Sequence, residues 1–228
     1  MIKLENVSVD IAIHNSETLS LRKLIFGKRP KPTIINVLKN INLEIKNEER
    51  VGLWGENGSG KTSLLRCIAG AYPPSTGKII REGKIVNLID IGLGIDAEAT
   101  GLKNIKLKLG LENPSKMKDS KVIQSIIEFS ELGKFIHYPV RTYSTGMVMR
   151  LSFSIMMHLD ADIILMDEWL SVGDEGFNHK AGEKLKELIK KSKILVMASH
   201  NRNLLNDVCT KIVNLENGQI ISVVRAND

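Results

Sequence analysis

Val51-Gly52-Leu53-Trp54-Gly55-Glu56-Asn57-Gly58-Ser59-Gly60-Lys61-Thr62 passes from a short apolar run into a turn too rich in glycine to be strand or helix. It leaves into Ser63-Leu64-Leu65-Arg66-Cys67-Ile68-Ala69, where Leu64, Leu65 and Ile68 fall on one helical face. The order is therefore strand, loop, helix. Residues 55–62 fit G-x-x-x-x-G-K-[ST], a spacing in which glycines let successive backbone N–H groups converge on phosphate oxygens with no Cβ in the way. Gly55, Glu56, Asn57, Gly58, Ser59, Gly60 and Ser63 form the expected cradle. Lys61 is expected to reach the β- and γ-phosphates and Thr62 to hold Mg²⁺, with the positive end of the following helix adding to the anion site. The pattern implies a nucleoside triphosphate site.

Length and composition bound the rest. A chain of 228 residues, 43% hydrophobic and 25% charged, is enough for one globular domain or a core with an inserted subdomain. No run approaches the roughly 20 apolar residues of a membrane span, and Met1-Ile2-Lys3-Leu4-Glu5 lacks the apolar block of a signal peptide, so a cytoplasmic location is expected. The two cysteines, Cys67 and Cys209, have neither metal nor redox spacing and are expected to be reduced and buried. The formal charge of +6 is unevenly placed: Arg22, Lys23, Lys28, Arg29 and Lys31 fall among Leu21, Leu24, Ile25 and Phe26 with no acid between them. Such a tract suits anionic lipid, nucleic acid or plain solvent.

Along the chain, residues 2–11 alternate as a strand with a phase slip near Asn6 that predicts a bulge, and residues 34–45 alternate again. Residues 78–90 read as strands around a turn at Glu82-Gly83. Between about residues 95 and 158 the periodicity is helical: Val122, Ile123, Ile126, Ile127 and Phe129 share one face, and Met147, Leu151, Ile155 and His158 another. This region reads as a helical subdomain inserted into a core of residues 1–94 and 159–228. Ile163-Ile164-Leu165-Met166 and Ile194-Leu195-Val196-Met197-Ala198 have the continuous apolar character of parallel strands covered on both faces, joined by a helix carrying Ala181, Leu185, Leu188 and Ile189. Residues 211–215 and 220–224 around Asn217-Gly218 predict a hairpin.

Three further segments carry chemistry. Asp167-Glu168 ends an apolar strand, where α/β sheets place ligands; Asp167 suits a direct or indirect Mg²⁺ anchor, and Glu168 suits the base that polarises the attacking water. His200, in Ser199-His200-Asn201, follows the next apolar strand and suits a donor to the γ-phosphate. Tyr143-Ser144-Thr145-Gly146-Met147 precedes a helix expected to begin near Met147. Its small residues suit either an N-cap, with Ser144 or Thr145 as the capping oxygen, or a second anion site used by a partner.

Taken in order, residues 55–62, the Ser-Thr-Gly-Met segment, Asp167-Glu168, Gly173-Asp174 and His200 resemble the ATP-binding cassette of ABC transporters over nearly the whole chain. The resemblance implies an α/β fold: a P-loop NTPase core of mixed, mainly parallel sheet, an antiparallel N-terminal β-subdomain and an inserted helical subdomain. It implies two cassettes paired head to tail around ATP and Mg²⁺. Ser144, Thr145, Gly146 and Met147 would meet the nucleotide held by the other copy, and Asp174 would lie in the segment crossing the dimer interface. In these terms Glu168, His200 and Lys61 carry catalysis, and Thr62 and Asp167 hold the metal.

Within the family, Tyr143-Ser144-Thr145-Gly146-Met147, Ser171-Val172-Gly173-Asp174-Glu175-Gly176-Phe177, Leu88-Ile89-Asp90-Ile91-Gly92-Leu93-Gly94 and the basic N-terminal tract look like the ATPase subunits of exporters of O antigens, teichoic acids or capsules. That likeness implies a homodimer at the cytoplasmic face of the cell membrane, a separate permease, a lipid-linked polysaccharide as cargo, and no nucleic-acid partner. Ile91 stands near the place of the glutamine most cassettes carry, and Ile11 near that of the adenine-stacking aromatic. A GTPase shares the phosphate loop, yet no Asn-Lys-x-Asp segment is present. With the sequence stopping at Asp228, soon after the final hairpin, substrate choice is expected to rest with the permease.

Overall fold

The computed structural model describes residues 1–13, 32–168 and 175–226. The basic tract of residues 22–31, His14, Trp169 and the segment holding Gly173 and Asp174 lie outside the described residues. The strands and helices run β1 (Ile2–Ile13), β2 (Thr33–Ile45), β3 (Arg50–Trp54), α1 (Lys61–Ala69), β4 (Thr76–Arg81), β5 (Ile85–Asn87), α2 (Gly101–Glu112), α3 (Ser120–Ser130) and α4 (Thr145–Met156). They continue as β6 (Ile163–Asp167), α5 (Glu175–Lys191), β7 (Ile194–Ala198), α6 (Arg202–Val208), β8 (Lys211–Glu216) and β9 (Gln219–Arg225). The chain divides into two compact units, Met1–Glu82 with Ala198–Asp228, and Gly83–Met197.

In the first unit β1 lies between β2 and β4 in an antiparallel sheet. Its inward residues Ile2, Leu4, Val7 and Val9 are buried, and the step from even to odd numbers marks the predicted bulge. There Asn6 adopts φ 51°, the register slips between Leu4 and Val7, and the Asn6 N–H donates to Asn42 Oδ1 at 2.9 Å. A second set pairs β3 parallel to β8 and β8 antiparallel to β9, the expected hairpin. Helix α1 buries Leu64, Leu65 and Ile68, and it ends on Gly70 in the left-handed conformation that lets its N–H return to Arg66 and Cys67 carbonyls.

In the second unit β5 pairs parallel to β6, with β7 on the other side of β6. The four apolar residues of β6 and all of β7 are fully buried, which is why neither sequence alternates. Helices α2, α3 and α4 share a core of Ile105, Leu109, Ile123, Ile126, Leu151 and Ile155. Phe153 and Phe177 meet edge to face at 6.3 Å, and Phe129 joins them at 5.7 Å from Phe177. His158 belongs to this packing. Its Nδ1–H donates to the Ser154 carbonyl at 2.7 Å, which leaves Nε2 to accept from the Ser125 hydroxyl at 3.0 Å; burial lowers its pKa.

Residues 78–90 hold strands on either side of the turn at Glu82-Gly83, as expected, but the two do not pair with each other: β4 pairs with β1, and β5, which stops at Asn87, pairs with β6. The glycine turn moves the chain from one sheet to another, a choice that distant strands make and local alternation does not report.

An ion network ties the start of β5 to the ends of α2 and α4. Asp160 accepts from Lys116 Nζ at 2.8 Å and Lys84 Nζ at 3.0 Å, while Glu112 meets the same lysines at 3.2 and 3.4 Å. Hydrogen bonds from Lys116 and then Lys84 hold the Asp160 carboxyl at about 2, against an ordinary 3.8. Because the folded value is the lower one, this carboxylate stabilises the fold above about pH 4, and the contribution is lost as pH falls toward 2. Its side chain is 60% exposed, so water screens much of the gain. Urea unfolding of the wild type and Asp160→Asn is expected to show a gap in midpoint at about pH 6 that narrows steadily as pH falls from about 4 toward 2. A gap independent of pH would assign the effect to packing instead.

Candidate functional site

The phosphate loop begins where β3 ends. Val51 and Leu53 are fully buried, and Gly52 leaves room for α6: a Cβ there would meet Leu205 Cδ2 at 3.0 Å and Cys209 Sγ at 3.2 Å. The loop closes on itself through Ser59 N–H to Glu56 O at 3.1 Å. It is then pinned outward, Ser59 O accepting from Gly218 N–H at 2.9 Å and Gly218 O from Lys39 N–H at 2.8 Å. The β8–β9 turn and β2 thus brace the loop from behind. Gly60, at φ 108°, opens α1, and Lys61 Nζ donates to the Gly55 and Glu56 carbonyls at 2.7 and 3.0 Å. The ammonium therefore lies within the curl of the loop.

A cavity of about 1050 Å³ opens on this loop; Trp54, Gly55, Glu56, Asn57, Gly58, Ser59, His200, Arg202, Asn214 and Ser222 are among its lining residues. Phosphate loop and His200 therefore share one space. His200 is exposed, directly after the fully buried β7 and Ser199. Asn201, quoted with it from the sequence, proves to be the N-cap of α6, its Oδ1 accepting from Leu204 N–H at 3.1 Å. Arg202 and Asn214 were not found by sequence reasoning. Their signal is positional, one lying two residues beyond His200 and the other beside Trp54 in the β3–β8 register.

The second unit carries the remaining residues. Asp167 closes β6, half-buried, and Glu168 follows at φ 67°, a left-handed backbone that costs an L-residue about 1–2 kcal/mol. Ser144 caps α4, its Oγ accepting from Met147 N–H at 3.3 Å. The helix thus starts at Thr145 rather than near Met147, because the cap gathers Thr145 and Gly146 into its first turn. Ser144, Thr145 and Gly146 are exposed, and Met147 is half-buried. Ser144, Gly146 and Met147 line a separate cavity of about 490 Å³ with Glu131, Leu132, Phe135 and Arg150. Glu131 pairs with Lys180 at 2.9 Å and Arg150 at 3.5 Å, which fixes that wall.

The donors suit a magnesium nucleotide. Backbone N–H groups, one ammonium and the Thr62 hydroxyl are the kinds of donor that a phosphate cradle uses. Among the described residues no cluster of three or more His, Cys, Asp or Glu could hold a metal. Ile91, near the place of the usual glutamine, is 4% exposed and is a core residue. Ile11, near that of the usual aromatic, is half-buried on β1.

The sequence profile described as "ABC transporter" matches residues 38–171. The chain belongs to the ABC transporter family. This cassette is 40% identical over 225 residues to the O-antigen export system ATP-binding protein RfbE of Yersinia enterocolitica, covering 95% of this chain and 94% of that one. It is 38% identical over 227 residues to the teichoic acids export ATP-binding protein TagH of Bacillus cereus, of which it spans 41%. Among solved structures, the ATP-binding cassette MJ0796, a post-hydrolysis dimer bound to ADP and Pi, superposes with a TM-score of 0.71 at 22% identity, each chain fully covered. That likeness establishes the ABC ATPase fold: α/β, with mixed sheets and antiparallel N-terminal strands. No described helix of this cassette is long and apolar enough to cross a membrane.

Proposed function

We propose that this ABC ATPase powers export of a lipid-linked polysaccharide, as a dimer docked on a separate permease at the cytoplasmic face of the cell membrane. The observation that carries the reading is end-to-end similarity to an O-antigen export ATP-binding protein, in a chain whose loop and His200 share one cavity. The loop and Lys61 bind the ATP phosphates; Thr62 and Asp167 hold Mg²⁺, which supplies charge neutralisation on the transferring phosphoryl group. Glu168 takes the proton of the attacking water, and His200 donates to the γ-phosphate. Ser144, Thr145, Gly146 and Met147 close on the nucleotide held by the second copy, with Asp174 at the interface. Residues from about 95 to 158 form the inserted helical subdomain.

The test is transport. In vesicles holding its permease, the cassette is expected to drive ATP-dependent movement of a lipid-linked glycan, with both transport and hydrolysis abolished by EDTA and restored by Mg²⁺. Hydrolysis that proceeds at full rate in EDTA would overturn the metal assignment. Hydrolysis stimulated only by a non-glycan lipid or small solute would overturn the cargo.

A further inference from the structure

We propose that Arg202 is a positioning residue that keeps His200 in register with the phosphate loop. The inference rests on the reading that His200 acts at the γ-phosphate. His200 is exposed, and the backbone on either side of it contributes to its position. On the upstream side the Ser199 N–H reaches the Leu53 carbonyl at 3.4 Å. On the downstream side the Asn201 N–H donates to Ser199 Oγ at 3.1 Å, and α6 begins at once.

Arg202, the first residue of α6, closes the arrangement. Its guanidinium lies 5.7 Å from the Trp54 ring centroid, and Nη1 donates to Asn214 Oδ1 at 3.2 Å. Asn214 is itself fixed, its Nδ2 donating to Ser222 Oγ at 2.6 Å. Both flanks of His200 therefore end on Leu53 and Trp54, the last two residues before Gly55. A displacement of the loop is passed to the histidine through this ring and fork. Arginine suits the task because its planar group stacks and directs a hydrogen bond together, which a lysine ammonium does not. A plain covering of Trp54 would need the contact with the ring but not the coupling to His200, and that difference is measurable.

The measurement is steady-state ATPase of the full chain carrying Arg202→Ala, Arg202→Lys, His200→Ala and the Arg202→Ala/His200→Ala double change. Misplacing a reacting group by about 1 Å costs up to about 100-fold. Arg202→Ala is accordingly expected to lower kcat about 10–100-fold, with KM for ATP moved less than about threefold. Arg202→Lys should recover little of the loss. In the His200→Ala background the same change should cost nothing further, since residues acting as a unit are not additive. An equal loss in that background, or a rise in KM with kcat intact, would overturn the inference.

Should His200→Ala hydrolyse at the wild-type rate, the reading of His200 fails and the inference with it. A slow His200→Ala beside a fast Arg202→Ala overturns the inference alone. If Arg202→Ala does not fold, Asn214→Ala removes the acceptor while keeping the arginine: a partial fall in kcat supports the positioning role, and an unchanged kcat overturns it.

Discussion

Replacing Glu168 by Gln is expected to cut ATP turnover about 10²–10⁴-fold while ATP stays bound, because the amide keeps the size of the carboxylate but cannot take a proton from water. The left-handed backbone at φ 67° gives this residue its direction, and Gln pays the same conformational cost as Glu there. The substitution therefore separates chemistry from geometry. Lys61→Ala should behave differently. It removes the ammonium held in the curl of the loop by Gly55 and Glu56, so productive binding itself is lost. Single-turnover hydrolysis alongside retention of labelled ATP on the protein distinguishes the two. Turnover by Glu168→Gln within about twofold of wild type would remove Glu168 from the role of base.

Nucleotide affinity should respond very differently to two glycines of the same loop. A Cβ at Gly55 would overlap the Leu215 carbonyl oxygen and come within 2.7 Å of Ser59 Oγ, neither of which can swing aside, one being backbone and the other buried. A Cβ at Gly58 meets nothing within 4 Å, so Gly58→Ala carries only the left-handed cost at φ 82°, about 1–2 kcal/mol. Overpacking of the first kind costs about 1–3 kcal/mol and displaces the strand end that carries the loop. Gly55→Ala is expected to weaken MgADP binding about 10–100-fold, and Gly58→Ala no more than about tenfold. ADP is the better probe, since it separates binding from hydrolysis. Calorimetric titration showing Gly58→Ala the more damaging would reverse the account of which glycine the fold demands.

The sequence made some of this legible because certain constraints are local. The phosphate loop, the two uninterrupted apolar strands, the bulge at Asn6 and the Asn217-Gly218 hairpin each follow from neighbouring residues, whose periodicity and turn chemistry decide the backbone. Ser144 could be named as a cap for the same reason. What escaped was set by pairing at a distance. The strand after Glu82 leaves for another sheet because of β6, and Asp160 finds Lys84 at a separation of 76 residues and Lys116 at 44. Arg202 looked like any surface arginine, because Trp54 and Asn214 reach it only once β3 and β8 lie side by side. In the candidate site, the residue types with suitable chemistry could be picked out from sequence, and contacts such as those of Arg202 with Trp54 and Asn214 could not.

Both thiols of the chain lie out of reach. Cys67 is fully buried and Cys209 is 7% exposed, and burial pushes their pKa values up to about 11 and about 12. Thiolate, the species that attacks maleimides and methanethiosulfonates, is therefore scarce at neutral pH and shielded where it forms. The native chain is accordingly its own cysteine-silent background. A single cysteine introduced on the exposed first turn of α4 can carry a spin label or fluorophore that tests whether a second copy approaches there, with no core residue altered to prepare for it.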